Sequence, residues 1–212
     1  MISKKKPEAP PKAGVSRRGF IRGVGLGSGA LGAGILEHTA EAQTQAAKVA
    51  GPGPAPITLE VNGKPFKLNV EPRVTLLDAL RDHLNHTGAK RACDRGSCGS
   101  CTVLLGGKAV YACNILAIEA QGKPIQTIEG LSAGAQAHPL IDAFVENDGL
   151  QCGFCTPGMV MASKALLERN PNPTLEDVHA GLAGNYCRCG SYMGIRKAVL
   201  AASKQMKGAG RA

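Results

Sequence analysis

Eight cysteines, divided into two sets of four, constrain the fold of this 212-residue chain more than any other feature. The first set consists of Cys93, Cys98, Cys101 and Cys113. The second set consists of Cys152, Cys155, Cys187 and Cys189. Four converging thiolates are a donor set for zinc or for an iron–sulfur cluster, so the fold has to bring each set together. Each half of the chain therefore carries its own candidate metal centre.

The spacing of the first set favours iron and sulfur. Cys-x4-Cys-x2-Cys followed by one later cysteine is the spacing of plant-type [2Fe–2S] ligation. The intervening loop contains Gly96 and Gly99, which allow backbone N–H groups to approach the sulfurs and stabilise their negative charge. Arg91 and Arg95 are expected to add positive charge nearby. The first set is therefore predicted to hold a [2Fe–2S] cluster.

The second set consists of two close pairs, and each pair stands just before a predicted helix. Helix N-termini favour bound negative charge, which a thiolate-ligated cluster carries. Residues two apart do not share a helix face, so Cys187 and Cys189 are expected on a loop rather than inside a helix. Pairing the two helix starts brings four thiolates together and predicts a second [2Fe–2S] cluster.

Other uses of eight cysteines have to be weighed. A structural zinc site accepts four cysteines, and an even number of cysteines in an exported chain is also typical of disulfides. Cys152-Gly-Phe-Cys155 resembles a thioredoxin-type dithiol, but the surrounding βαβ pattern is missing. Covalent haem is excluded because Thr102 and Thr156 stand where Cys-x-x-Cys-His needs histidine. A Rieske centre needs paired Cys and His ligands, and His83 and His86 are interpreted as a surface pair. Zinc and disulfides remain open.

Residues 57–132 are predicted to form a small α+β domain. Ile57, Leu59 and Val61 alternate with polar residues before Asn62-Gly63, a strong hairpin signal. Thr75 to Asp78 forms a capping box that opens a helix. The remaining predicted elements are a hairpin of Cys101–Leu105 with Lys108–Ala112 and a strand over Ile125–Ile128.

Residues 133–205 are predicted to form four helices with short connections, as in a small antiparallel bundle. Pro139 and Thr156-Pro157 mark two helix starts, and Thr174 to Asp177 is a second capping box. Apolar residues at helical spacing from Ile195 to Ala202 indicate the last helix. Residues 206–212 are interpreted as a frayed tail.

The first 42 residues are predicted to be an export signal. Ser-Arg-Arg-Gly-Phe-Ile-Arg at residues 16–22 resembles the twin-arginine motif, and a Gly- and Ala-rich apolar stretch follows it. Cleavage is expected after Ala42, and residues 43–56 have the composition of a linker. The twin-arginine route exports proteins that are already folded, so it favours bound metal over disulfides. The predicted location is the periplasm.

Composition excludes several other classes. Aromatic residues make up 3% of the chain, and no dense basic stripe accompanies the net charge of +9, so a nucleic-acid partner is not expected. No apolar run is long enough to predict a stable membrane span. The chain also lacks a nucleotide-binding glycine loop and any acid–base or nucleophile constellation, so no catalytic residue is predicted.

Four strings together resemble the small iron–sulfur subunit of the xanthine oxidase/aldehyde oxidoreductase family of molybdenum hydroxylases. They are Cys-Asp-x-Gly-x-Cys-Gly-x-Cys-Thr-Val at 93–103, Thr-Ile-Glu-Gly-Leu at 127–131, Gln-Cys-Gly-Phe-Cys-Thr-Pro-Gly at 151–158 and Gly-Asn-x-Cys-Arg-Cys-Gly at 184–190. Together with the export signal, they make the chain most similar to the iron–sulfur subunits of periplasmic aldehyde oxidoreductases. The resemblance implies a β-grasp, plant-type ferredoxin-like domain followed by a four-helix-bundle [2Fe–2S] domain.

The resemblance also implies partners and a direction of electron flow. A large subunit carries molybdopterin and oxidises an aldehyde or an N-heterocycle, and electrons leave one at a time through both clusters to a FAD subunit or to another acceptor such as a cytochrome. The cluster of the helical domain lies nearest molybdenum, and Gln151 and Cys189 match positions that touch the pterin. Two alternatives compete with this reading. A stand-alone ferredoxin-like carrier leaves the helical domain unexplained, and a zinc-stabilised interaction protein would be redox-silent.

Overall fold

The computed structural model describes residues 16–20, 51–132 and 137–208. Contacts divide the chain into residues 1–49 and residues 50–212. In the first of these units, residues 17–20 form a helical turn, and the Ser16 hydroxyl accepts a hydrogen bond from the Gly19 N–H at 3.1 Å. The rest of the predicted signal, its cleavage site after Ala42 and most of the predicted linker lie outside the described residues. Within the described ranges, no helix is long and apolar enough to cross a membrane.

A five-stranded mixed sheet forms the first part of the second unit. Its strands are β1 Ala55–Val61, β2 Lys64–Val70, β3 Thr102–Leu105, β4 Lys108–Tyr111 and β5 Pro124–Gln126. The order is β2-β1-β5-β3-β4, in which β1 and β5 run parallel and the other neighbours run antiparallel. Both predicted hairpins are confirmed. At the first turn, Asn62 and Gly63 have φ of 50° and 76°, the left-handed conformation that Asn-Gly turns adopt.

Helix α1, Leu76–Asp78, packs against this sheet and begins as the sequence predicts. The Thr75 hydroxyl accepts a hydrogen bond from the Asp78 N–H at 3.1 Å, which satisfies one free donor of the first turn. The helix then continues as a wider, π-type turn over Ala79–His83. Leu76, Leu77 and Leu80 are fully buried and form one hydrophobic cluster with the inner face of the sheet.

The second part of the unit is helical. Its helices are α2 Ile128–Ser132, α3 Pro139–Glu146, α4 Thr156–Arg169, α5 Leu175–Leu182 and α6 Tyr192–Gly208. The predicted capping box of Thr174 with Asp177 is present at the start of α5, and Pro139 begins α3 as expected. Apolar faces of these helices form a second hydrophobic cluster around Phe144, Met159 and Ile195. The prediction of four helices over residues 133–205 is confirmed by α3 to α6. The short helix α2 precedes that region and lies within the residues assigned to the first domain.

Two boundaries differ from the prediction. The strand expected over Ile125–Ile128 ends at Gln126, because the Thr127 N–H donates to the Asn62 side-chain oxygen at 2.9 Å instead of to a neighbouring strand. Ile128 then begins α2 and packs against the helical cluster. Residues 206–208, expected in the tail, extend α6, while residues 209–212 lie outside the described ranges.

Candidate metal centres

Strand register brings the first set of cysteines together. Cys101 immediately precedes β3 and Cys113 follows β4, and the two strands pair Thr102 with Tyr111. The Ala112 N–H also donates to the Cys101 carbonyl at 3.3 Å, which extends the pairing by one residue. Cysteines that are twelve positions apart in sequence therefore lie side by side at one end of the hairpin.

The loop before β3 wraps tightly around the first set. Asp94, Gly96 and Gly99 have φ of 54°, 71° and 71°, a conformation that glycine adopts freely and aspartate rarely. This path aims the Gly96 N–H at the Cys113 sulfur and the Ser97 N–H at the Cys93 sulfur, each at 3.3 Å. Such N–H donors stabilise negative charge on thiolates, so the predicted role of the glycine-rich loop is confirmed.

The four thiols of the first set lie in two pairs. The Cys93 thiol interacts with that of Cys98, and the Cys101 thiol with that of Cys113, closely enough to contribute to the pKa shifts of Cys93 and Cys101. Backbone N–H groups, that of Arg95 foremost, lower the pKa of Cys93 to about 7, whereas burial raises the pKa of Cys101 to about 12. Two pairs of thiolates are what a two-iron centre requires, with two cysteines on each iron.

The second set is built by one helix start and one loop. Cys155 is the residue that caps α4, and Cys152 lies three residues before it. Cys187 and Cys189 lie on the loop between α5 and α6, as predicted. Here too the thiols form two pairs, Cys152 with Cys189 and Cys155 with Cys187. The same two-by-two arrangement therefore occurs in both halves of the molecule.

The two pairs of the second set differ in their exposure to solvent. Cys155 and Cys187 are buried, and burial raises the pKa of Cys155 to about 12. Cys152 and Cys189 are exposed, and the Phe154 N–H lowers the pKa of the Cys152 thiol by hydrogen bonding to its sulfur. The second centre thus has an inner pair inside the bundle and an outer pair at the protein surface.

The surroundings of the two sets differ in chemistry. Large apolar side chains that are between 37% and 66% exposed flank the outer pair of the second set in sequence; they are Leu150, Phe154, Tyr186 and Met193. The loop of the first set instead exposes Asp94 and Arg95. Arg91, which was expected to add positive charge near the first set, is paired with Asp78 and Asp82, each at 2.6 Å.

Gln151 and Cys189, the predicted pterin contacts, are both exposed. Gln151 precedes Cys152, whose thiol lies beside that of Cys189, so the two residues occupy the same edge of the second set. Their contact with a pterin stays a prediction. His83 is exposed, and His86 packs edge-on against Phe66 with ring centroids 5.7 Å apart.

The donor chemistry of both sets fits a [2Fe–2S] cluster. All eight cysteines are free thiols, and in the first set backbone N–H groups also point at two of the sulfurs. Among residues 16–20, 51–132 and 137–208, no group of three or more His, Cys, Asp or Glu side chains is arranged to hold a single metal ion. When bound, each cluster supplies reversible one-electron oxidation and reduction.

Comparison with known proteins bears directly on the two sets. A family model described as "2Fe-2S iron-sulfur cluster binding domain" matches residues 59–127, and one described as "[2Fe-2S] binding domain" matches residues 127–200. The aldehyde oxidoreductase iron–sulfur-binding subunit PaoA of Escherichia coli is 39% identical over 84% of this chain and 84% of its own length. The chain belongs to the family of small iron–sulfur subunits of aldehyde oxidoreductases and xanthine dehydrogenases.

Further relatives support this family assignment. The nicotine 6-hydroxylase small subunit of Paenarthrobacter nicotinovorans is 47% identical over 71% of this chain and 90% of its own length. The crystal structure of quinoline 2-oxidoreductase from Pseudomonas putida 86 superposes with a TM-score of 0.70 at 41% identity, covering 73% of this chain and 97% of that one. The resemblance to molybdenum hydroxylases and the predicted ferredoxin-like plus helical architecture are confirmed. As a small iron–sulfur subunit, the chain transfers electrons for an oxidoreductase whose substrate chemistry lies on another subunit.

Sequence reasoning missed the residues that join the two cysteine loops. Tyr111 and Asn185 were given no role, although their side chains reach from one half of the unit to the other. The signal available was the position of Asn185, directly after Gly184 and two residues before Cys187. Asparagine side chains often hydrogen-bond to backbone groups a few residues away, so the sequence alone did not reveal that Asn185 binds a distant loop.

Proposed function

We propose that this chain holds two [2Fe–2S] clusters and relays single electrons from the molybdopterin site of a large partner subunit to a FAD subunit or another acceptor, during oxidation of aldehydes or N-heterocycles. One observation carries the proposal. Two sets of four free cysteines, each within a region matched by its own [2Fe–2S] domain model, lie within a single compact unit of a chain that belongs to this family. An isolated carrier needs only one such set.

The second set is proposed to face the large subunit. Its outer pair, Cys152 and Cys189, reaches the surface beside exposed apolar residues such as Phe154 and Tyr186. Exposed aromatic side chains of this kind are typical of the buried centre of a protein–protein interface. Gln151 lies on the same edge, where the resemblance places the pterin.

The first set is proposed to face the electron acceptor. Its loop exposes the charged residues Asp94 and Arg95, and polar surfaces of this kind suit weaker or exchangeable contacts. The stand-alone carrier is the second candidate. The exposed apolar side chains next to Cys152 argue against it, because a shuttling monomer gains nothing from exposing them to water.

Export is part of the proposal. The twin-arginine string occupies residues 16–22. Arg17 and Arg18 are exposed in the described helical turn, where an export receptor can reach them. Export in the folded state allows clusters to be inserted before the chain reaches the periplasm. Fractionation of cells that produce the full-length protein tests this: the chain should appear in the periplasm, and Arg17→Lys combined with Arg18→Lys should retain it in the cytoplasm. Periplasmic accumulation of that double variant would refute the route.

The cluster assignment is tested by low-temperature EPR of the dithionite-reduced complex, with spin quantitation. Two distinct [2Fe–2S] signals at close to two spins per chain are expected. Cys93→Ser should remove one signal and Cys152→Ser the other, with co-purified molybdenum measured on every sample. A single signal in the native complex, or no molybdenum-containing partner, would refute the proposal.

A further inference from the structure

The two cysteine loops touch each other directly. The Tyr186 N–H donates to the Cys98 carbonyl at 2.9 Å. Cys98 belongs to the first set, and Tyr186 immediately precedes Cys187 of the second. A single hydrogen bond between backbones therefore joins a cysteine of one set to the residue next to a cysteine of the other.

Three glycines make this approach possible. A Cβ on Gly99 would lie 2.6 Å from the Asn185 side chain and 2.7 Å from the Gly184 carbonyl. A Cβ on Gly158 would overlap the Gly99 carbonyl, and one on Gly184 would overlap the Tyr111 hydroxyl. The atoms that these methyl groups would meet are the Gly99 and Gly184 carbonyls and the ends of the Asn185 and Tyr111 side chains, so ordinary side chains at these positions would push the two loops apart.

The Asn185 side chain holds the two cysteine loops together by hydrogen bonds. Asn185 is only 5% exposed, and its amide nitrogen donates to the Gly99 carbonyl at 2.9 Å and to the Thr102 hydroxyl oxygen at 3.1 Å. Its own backbone N–H donates to the Leu182 carbonyl at 3.0 Å, which anchors the residue to the end of α5. Asn185 thus holds the loop of the second set against the loop of the first. A buried amide with satisfied partners is a strong geometric constraint, since losing it leaves buried groups unpaired.

We propose that Asn185 is a positioning residue that clamps the Cys98–Tyr186 contact and thereby sets the electronic coupling between the two centres. The inference rests on the proposed function, because it requires two clusters. The transfer makes and breaks no bond: one electron leaves one thiolate-held centre, which is oxidised, and reaches the other, which is reduced. Coupling between such centres falls steeply as the path between them lengthens, so a loosened junction slows the transfer without altering either centre.

Asn185→Ala in the full complex tests the clamp, and Asn172→Ala, at an exposed asparagine of the same helical region, is the matched control. In the fully reduced native protein, magnetic interaction between neighbouring clusters should split both EPR signals at low temperature. Asn185→Ala should lose this splitting and slow the redistribution of electrons in half-reduced, freeze-quenched samples. The midpoint potential of each cluster should remain unchanged, which a general structural defect would not allow. Asn185→Asp, which keeps the side-chain volume but loses the amide donor, replaces Asn185→Ala if that variant fails to load both clusters.

Each outcome has one meaning. Loss of splitting in the Asn185 variant with retention in the Asn172 control supports the clamp. Equal splitting in both variants, or two unsplit signals in the native protein, overturns the clamp while leaving the two-cluster function intact. Loss of one cluster from both Asn185 variants assigns the residue to cluster assembly and also overturns the coupling role. A native protein with one cluster instead overturns the proposed function itself.

Discussion

Gly158→Ala tests how closely helix α4 presses on the first cysteine loop. The added methyl group would overlap the Gly99 carbonyl and lie 3.1 Å from the Ser100 Cα, so its nearest neighbours are backbone atoms that cannot rotate away. Overpacking of this kind costs about 1–3 kcal/mol. Alanine gains about 1 kcal/mol over glycine inside a helix, which offsets part of that cost. We expect a net loss of about 1 kcal/mol in the free energy of unfolding.

Gly181→Ala in α5 is the matched control. The three atoms nearest to its added methyl group all belong to the Leu166 side chain, the closest at 2.9 Å, and a side chain can change rotamer where a backbone carbonyl cannot. The helix-propensity gain then remains largely uncancelled, so this variant should unfold at a slightly higher temperature than the native protein. The two variants should differ by about 2 kcal/mol, or roughly 4–8 °C in Tm for a unit of this size.

Thermal unfolding of the cluster-loaded protein, followed by circular dichroism and by visible absorption, measures both effects. The absorption of the first cluster should also change in Gly158→Ala alone, because only that substitution displaces the loop that carries Cys98. Equal Tm values for the two variants with unchanged spectra would refute the close packing of α4 against this loop.

Three further predictions follow from individual contacts. Phe154→Asp should abolish co-purification of the large subunit, because Phe154 lies on the surface proposed as the interface. Leu175→Asp is the control, since Leu175 is similarly exposed but lies at the end of α5 that is far from Cys187, and it should leave co-purification intact. If Phe154→Asp still co-purifies with the large subunit, the surface around Phe154 is not part of the interface. Thr174→Ala should lower the free energy of unfolding by about 1 kcal/mol through loss of the α5 cap, measured by urea titration with the exposed Asn172→Ala as control. Glu129 is half-buried; burial raises its pKa, but hydrogen bonds from Thr127 and from the Gly88 N–H outweigh this and hold the pKa below its usual 4.5. The pKa of Glu129 is lower in the folded than in the unfolded protein. Its contribution to the free energy of unfolding is therefore fully present above pH 4.5 and is lost as the pH falls through the folded-state pKa. Glu129→Gln should therefore lower stability by about 1–2 kcal/mol at pH 7 and by less in acid; a pH-independent difference would contradict this.

Local signals made much of the fold predictable. Asn62-Gly63 specifies its turn because both residues accept positive φ, and Thr75 and Thr174 specify helix starts because their hydroxyls satisfy free N–H groups. The cysteine spacing was informative for a similar reason, since ligation fixes which residues converge whatever the rest of the sequence does. Each of these features depends on neighbours within a few residues.

The features that were missed depend on distant partners. The parallel pairing of β1 with β5 joins Val61 to Ile125, and nothing in either segment alone encodes it. Ile128 was assigned to the end of a strand, yet it begins a helix and packs against the helical cluster. Arg91 was expected to add positive charge near the first set, but its ion pairs with Asp78 and Asp82 were not predicted, because these residues belong to a different element of the fold.

Strand β3 explains why the two halves form one unit. Its four residues are all buried, with Val103 and Leu105 in the cluster of the sheet and Leu104 in the cluster of the helices. A strand buried on both faces cannot shift by one residue without placing its side chains in the wrong core. Cys101 directly precedes this strand, so the position of the first cysteine set is fixed relative to the helical part of the unit, which contains the second. Two centres held at a constant separation suit an electron relay, because a flexible linker between them would make the transfer rate depend on chance encounters.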